Sequence, residues 1–298
     1  MSKKLIIYSV LTRLWGNPST KRVPHGTLTE NGAGKLSAFT PEALQYIRSL
    51  GATHVWFIGL LEHATKTDYS AYGITPDHPD TVKGQAGSPY AVKDYYDIDP
   101  DLADDPLRRQ EELDALIHRT HEAGLQVVMD FIPNHVARSY HSDSCPKGTV
   151  DLGATDDSSQ AFSPRNNFYY LPDSTLILPL STSSSPYEEH PARATGNDCF
   201  SPRPTICDWY ETVKLNYGVD YCGDGALHAD PLPDTWVKMR DILLYWAGRG
   251  IDGFRCDMTE LVPPEFWAWA IPEIKAQYPE VCFLSEIYQP HRYAGYLQ

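Results

Sequence analysis

A parallel α/β fold, more specifically a (β/α) barrel, is predicted from three observations. Short apolar runs alternate in strict order with amphipathic helical patterns, the rhythm of parallel strands joined by helical crossovers. The runs are too continuously apolar for a sheet with one wet face. A doubly wound sheet also fits the rhythm, but the stretch after the first run, "SVLTRLWGNPST", lacks the glycine-rich phosphate turn such a sheet carries there.

Strand one is expected over Lys4–Val10, "KLIIYSV". In "TPEALQYIRSLG", Thr40 caps a helix, Pro41 takes its first turn, Leu44, Ile47 and Leu50 line one face, and Gly51 ends it. "THVWFIG", Thr53–Gly59, is strand two. A long loop precedes "RRQEELDALIHRTHEAGL", a helix with Leu113, Leu116 and Ile117 on its apolar face, and Leu125–Ile132 follows as strand three. The rhythm then breaks from Val136 to Leu232, a stretch rich in Ser, Pro, Asn, Asp and aromatics. An interval of that length needs structure of its own, so an inserted small domain is expected. "PDTWVKMRDILLYWAGRG" restores the helix, with Trp236, Met239, Leu243 and Trp246 inward. "GIDGFRCD" is strand four, a helix comes from "PPEFWAWAIPEIKAQYP", and strand five is Val281–Tyr288.

With 298 residues, 42% of them hydrophobic, the chain can bury a sizeable core. Its net charge of -14 argues against nucleic acid and anionic membrane surfaces and towards a neutral or cationic ligand. The apolar run near the N-terminus is too short for a signal peptide, which points to the cytoplasm, and no stretch approaches a membrane span. None of the six cysteines forms a CxxC pair, and free thiols are expected.

Chemistry in a parallel α/β fold collects at the C-terminal ends of the strands. Strand three ends in Asp130 and runs on to Asn134 and His135. Strand four ends in Arg255 and Asp257, and strand five in Glu286. A structural ion pair explains Arg255 and Asp257 taken alone; three successive strand ends carrying ionisable groups on one rim ask for more. Asp257 and Glu286, on neighbouring strands about 5 Å apart, suit the close pair of carboxyls that a retaining glycosidase uses. Arg255 is expected to keep Asp257 ionised, while an apolar strand end leaves Glu286 its proton.

In this order and on these strands, "DFIPNH", "GFRCD" and "SEIY" resemble the first three signature regions of the α-amylase superfamily, glycoside hydrolase family 13. "SPYAVKDYYDIDPDL" is similar to that family's segment after strand two. The resemblance implies a (β/α)8 TIM barrel, present only through about strand five, with the family's domain B after strand three. Residues 1–135 would be the first part of the barrel, 136–232 domain B, and 233–298 the barrel's continuation. It implies Asp257 as nucleophile, Glu286 as acid/base, Arg255 as the group orienting Asp257, His135 and Tyr90 as sugar-binding residues, and Asp130 and Asp94 in support. No cofactor is required, although Asn134 corresponds to a calcium-ligand position and its amide oxygen is a hard donor.

The match also has departures. Many members carry Lys-His where Glu260 and Leu261 stand, and the fourth signature, at strand seven, lies beyond five strands. Five strands cannot close an eight-stranded barrel, so the remainder of the barrel is expected outside this chain. The activity implied is a retaining hydrolase acting on α-glucans or malto-oligosaccharides through a covalent glycosyl-enzyme. The alternatives are a transglycosylase or trehalose-forming isomerase of the same family, and a sugar-binding or scaffolding relative without catalysis.

Overall fold

A computed structural model of the chain describes residues 4–296. From the N-terminus run β1 (Ile7–Leu11), the single turn α1 (Leu28–Asn31), α2 (Pro41–Ser49), β2 (His54–Ile58), the short β3 (Leu61–His63), β4 (Val92–Ile98), α3 (Arg109–Glu122) and β5 (Gln126–Phe131). Then come β6 (His135–Ala137), β7 (Tyr170–Leu171), β8 (Ala192–Arg193), β9 (Thr212–Lys214), α4 (Asp234–Gly248), β10 (Gly253–Cys256), α5 (Pro264–Gln277), β11 (Cys282–Ser285) and the final turn α6 (Tyr293–Tyr296).

One sheet organises the molecule. Its order is β1-β2-β5-β10-β11, every pairing is parallel, and consecutive strands are joined through helices. Helix α2 begins where the sequence places it, the Thr40 hydroxyl accepting the Ala43 N–H at 3.3 Å. Helix α3 buries Leu113, Leu116 and Ile117, and α4 buries Trp236, Met239, Leu243 and Trp246. Burial of each such side chain stabilises the fold by about 1.5–3 kcal/mol. The indoles are also satisfied, Trp246 Nε1 donating to the Tyr95 carbonyl at 2.7 Å and Trp236 Nε1 to that of Tyr217 at 3.0 Å. A Cβ at Gly253 would come 2.5 Å from the Cys282 sulfur on the neighbouring strand, so any larger residue there would force that sulfur to move.

Three details depart from the expected elements. Strand one is shifted to Ile7–Leu11, and strand five stops at Ser285, short of Tyr288. The loop after strand two contains an antiparallel ladder, β3 with β4, in which Glu62 pairs with Asp94. All seven residues of β4 are buried, and its charges hid it from an apolar-pattern search. Those charges are partnered: Lys93 lies 3.6 Å from Glu62 and 3.5 Å from Asp77, and Asp97 accepts from Arg109 Nε at 2.8 Å.

The long interval before α4 has local order of two kinds. Antiparallel ladders join β6 to β9 and β7 to β8. A polar hub stands beside the apolar residues that the interval adds to the main core, among them Phe168, Val213 and Leu215: the wholly buried Arg138 donates to Glu189 at 2.7 Å, to the Tyr210 carbonyl at 2.6 Å and to the Thr212 carbonyl at 3.0 Å. All six cysteines are free thiols. No helix among the described residues is long and apolar enough to cross a membrane.

Candidate active site

Register decides which side chains meet. Arg255 stands opposite Asp130 on one neighbouring strand and Leu284 on the other. Residues two apart in a strand share a face, so Asp257 and Glu286, each two beyond this row, project from the same rim. The ladder continues past the strand ends to hold them: Asp257 N–H donates to the Phe131 carbonyl at 2.8 Å, and Glu286 N–H to that of Cys256 at 3.1 Å.

At the centre is Arg255. Its guanidinium lies 2.7 Å from Asp257 and 3.4 Å from Asp130, and it also pairs with Glu286. The faces of Trp56 and Tyr90 cover it, with ring centres 5.1 and 5.6 Å away. One fork therefore serves three carboxyls, a task for which its planar set of donors is suited. Asp130 also accepts the Gly59 N–H at 3.2 Å. Burial pushes the Asp130 carboxyl up to about 6 despite Arg255.

The protonation pattern expected for the pair is reversed. Burial, opposed by Arg255 and reinforced by Glu286, pushes Asp257 up to about 7. Burial pushes Glu286 upwards too, but it is outweighed, and the carboxyl sits below its ordinary value. The Met258 N–H at 3.0 Å, the Tyr288 hydroxyl at 2.9 Å and Arg255 all stabilise its anion. Met258 presents that N–H from a left-handed backbone (φ 48°), a conformation that costs a non-glycine residue and that concentrates at functional sites. Burial thus favours the protonated form of Asp257, and the surrounding donors favour the anion of Glu286.

Above the pair opens a cavity of about 330 Å³, bordered by Tyr90, His135, Trp209, Asp257, Glu286 and Tyr288. That is room for a sugar residue. The imidazole of His135 lies against Trp209, ring centres 5.2 Å apart. Burial and the nearby Lys214 ammonium hold His135 down at about 4, so at neutral pH it is a neutral imidazole. Asp94 stands away from the pair: its carboxyl accepts from the Tyr96 N–H within β4 and from the Ser142 hydroxyl and the Ser144 N–H, pinning one loop to the strand.

Asn134 lies beside β6, and its Oδ1 accepts from Lys214 Nζ at 2.9 Å. Glu260, one of the departures from the family pattern, is buried, with its carboxylate accepting the Gln289 N–H at 3.1 Å and its carbonyl accepting from Arg292 at 2.7 Å. Three contributors escaped the sequence reading. Tyr288 could have been found, since it lies two residues beyond Glu286 in "SEIY". Trp209 in "DWYETVKLN" carried no register that tied it to the rim, and Lys214 showed only as a charge in the middle of an apolar run.

Comparison with known proteins bears on this geometry. The family described as "Alpha amylase, catalytic domain" matches residues 26–175. An alpha-1,4-glucan:maltose-1-phosphate maltosyltransferase of Burkholderia pseudomallei is 26% identical over 281 residues, taking in 86% of this chain and 24% of that protein. A protein of the same name from Cereibacter sphaeroides is 24% identical over 258 residues, with 82% and 32% covered. Among solved structures, an alpha-amylase from Lactobacillus plantarum superposes with a TM-score of 0.55 at 26% identity, over 95% of this chain and 44% of that one. The cyclic alpha-maltosyl-(1-->6)-maltose hydrolase from Arthrobacter globiformis, in complex with maltose, gives 0.57 at 17% identity over 96% and 51%, a likeness of fold. The chain thus spans 24% to 32% of the length of these two curated relatives.

Proposed function

Because the chain belongs to the alpha-amylase catalytic-domain family, we propose that its strand-end carboxyls form a retaining glycosyl-transfer centre that hydrolyses α-glucans or malto-oligosaccharides. The single observation that carries this reading is the arrangement of Asp257 and Glu286 around one guanidinium at the ends of neighbouring strands. In the same reading the five parallel strands are the first five of a (β/α)8 barrel, residues 1–135 and 233–298 supply it, and 136–232 are an inserted domain. The unbroken parallel order of the sheet supports that division.

The proposed chemistry needs one protonated and one ionised carboxyl. Asp257 attacks the anomeric carbon as the glycosidic bond breaks, and Glu286 gives its proton to the departing sugar oxygen. Water, deprotonated by Glu286, then displaces Asp257 and restores both groups. The free chain holds the proton on the other partner, so a bound sugar has to move it from Asp257 to Glu286. Both carboxyls lie on the Arg255 guanidinium, which keeps the path between them short. A glycosidic oxygen near Glu286 favours the acid form, while Arg255 is left to hold Asp257 as the anion. His135 is the neutral donor for a sugar hydroxyl, and the Tyr90 face borders the same cavity. Sugar hydroxyls suit this cavity, since the charge of Arg255 is engaged by three carboxyls.

A second reading, transfer to another sugar rather than to water, has its own support in the curated relatives named as maltosyltransferases. Maltoheptaose separates the two. Shorter reducing sugars alone, released first as α anomers, are expected; products longer than the substrate would indicate transfer, and β anomers would overturn retention altogether.

Activity should also follow the shared proton. The pair holds one proton between the depressed pKa of Glu286 and the value of about 7 for Asp257. Turnover is therefore expected to fall as pH rises through about 7, when the proton is lost, and again in acid, when Glu286 takes a second. A kcat/KM profile that stays flat from neutral into alkaline pH would contradict the assignment.

A further inference from the structure

We infer that the Lys214 ammonium is the resident cation at the junction of β6 and β9, doing there what a metal ion would otherwise do, and that this chain takes no calcium at that place. Lys214 stands opposite His135 in the ladder. Its side chain is 2% exposed, and a buried ammonium is tolerated only when its donors are met. An ammonium has three N–H groups, and three acceptors surround this one. Asn134 Oδ1 lies at 2.9 Å, Asp198 Oδ1 at 2.5 Å, and the Tyr221 ring faces it with its centre at 5.3 Å. Asp198 reaches this position from a left-handed backbone (φ 64°), which Asp tolerates better than most residues.

The Asn134 amide is fully used. Its oxygen points at the ammonium, and its nitrogen donates to the Gly196 carbonyl at 2.8 Å and faces His135 Nδ1 at 3.2 Å. Calcium takes six to eight oxygens at about 2.3–2.6 Å. Here the two side-chain oxygens that could serve already converge on a fixed positive charge, so charge and space both exclude the ion. The arrangement has a further consequence. An amide oriented by the ammonium makes Nδ1 of His135 an acceptor, so the ring proton resides on Nε2. Lys214 thereby acts through Asn134 as a positioning residue for His135.

The test is thermal unfolding of the 298-residue chain in excess EDTA and in millimolar calcium, with metal content measured after dialysis. The expected result is one Tm in both solutions and no stoichiometric calcium. Lys214→Met should lower Tm by several degrees, a loss calcium does not restore. Lys214→Asp, which swaps the ammonium for a third oxygen group, should gain a saturable rise in Tm with calcium. A wild-type Tm that climbs with calcium or falls in EDTA overturns the inference, as does a folded Lys214→Asp protein indifferent to calcium. If Lys214→Asp does not fold, the wild-type measurements decide alone.

Discussion

Replacing Asp257 with Asn is expected to lower turnover of malto-oligosaccharides by ~10⁴-fold or more, the scale seen when a covalent nucleophile is removed. The amide keeps the shape and one acceptor oxygen but cannot form the glycosyl ester. Trapping with a fluorinated glycosyl fluoride, read by intact mass, should label the wild-type chain and not the variant. Stability should move the other way. The folded-state pKa of about 7 lies above the ordinary value for aspartate, so ionising Asp257 destabilises the fold progressively as pH rises through 7. An uncharged Asn removes that cost, and the variant's Tm at pH 8 should equal or exceed that of the wild type. Unchanged turnover would sink the nucleophile assignment.

Replacing Arg255 with Ala is expected to be the most damaging single change to stability at the rim. The guanidinium is 11% exposed and is the shared partner of Asp130, Asp257 and Glu286. Removing one member of a buried ion network costs about 3–5 kcal/mol, because the charges left behind stay desolvated. The sign of the pH dependence follows. Without Arg255 the three folded-state pKa values rise, so the penalty is largest above them and fades as acid protonates the carboxyls. Urea unfolding should show a larger deficit at pH 8 than at pH 5, and equal deficits at both would mean that the loss is one of packing, not charge. Arg255→Lys keeps a charge without the fork, and intermediate stability is expected of it.

The catalytic candidates could be read before any coordinates because strand ends are local. A strand's apolar run announces where it stops, and Asp130, Arg255, Asp257 and Glu286 stand at or just past those stops. Alternation by two then puts them on one face. The buried strand β4 was missed for the converse reason: Lys93, Asp94 and Asp97 break the apolar signal, and the groups that meet them, Asp77 and Glu62 on Lys93, Arg109 on Asp97, and Ser142 and Ser144 on Asp94, come from elsewhere in the chain. The 136–232 interval was opaque because its ladders are two or three residues long and hydrogen bonds such as those of Arg138 leave no period in the sequence.

What the sequence determined by itself is the order of parallel strands, the helices between them, and the identity of the groups on the rim, since each follows from short-range periodicity and capping. Tertiary structure alone decided the state of those groups. Which of Asp257 and Glu286 holds the proton depends on donors from Met258, Tyr288 and Arg255 and on unequal burial. The positive charge that Asn134 faces comes from Lys214, 80 residues away along the chain. Electrostatic free energy depends on through-space distance and desolvation, and neither quantity is carried by the spacing of residues along a chain.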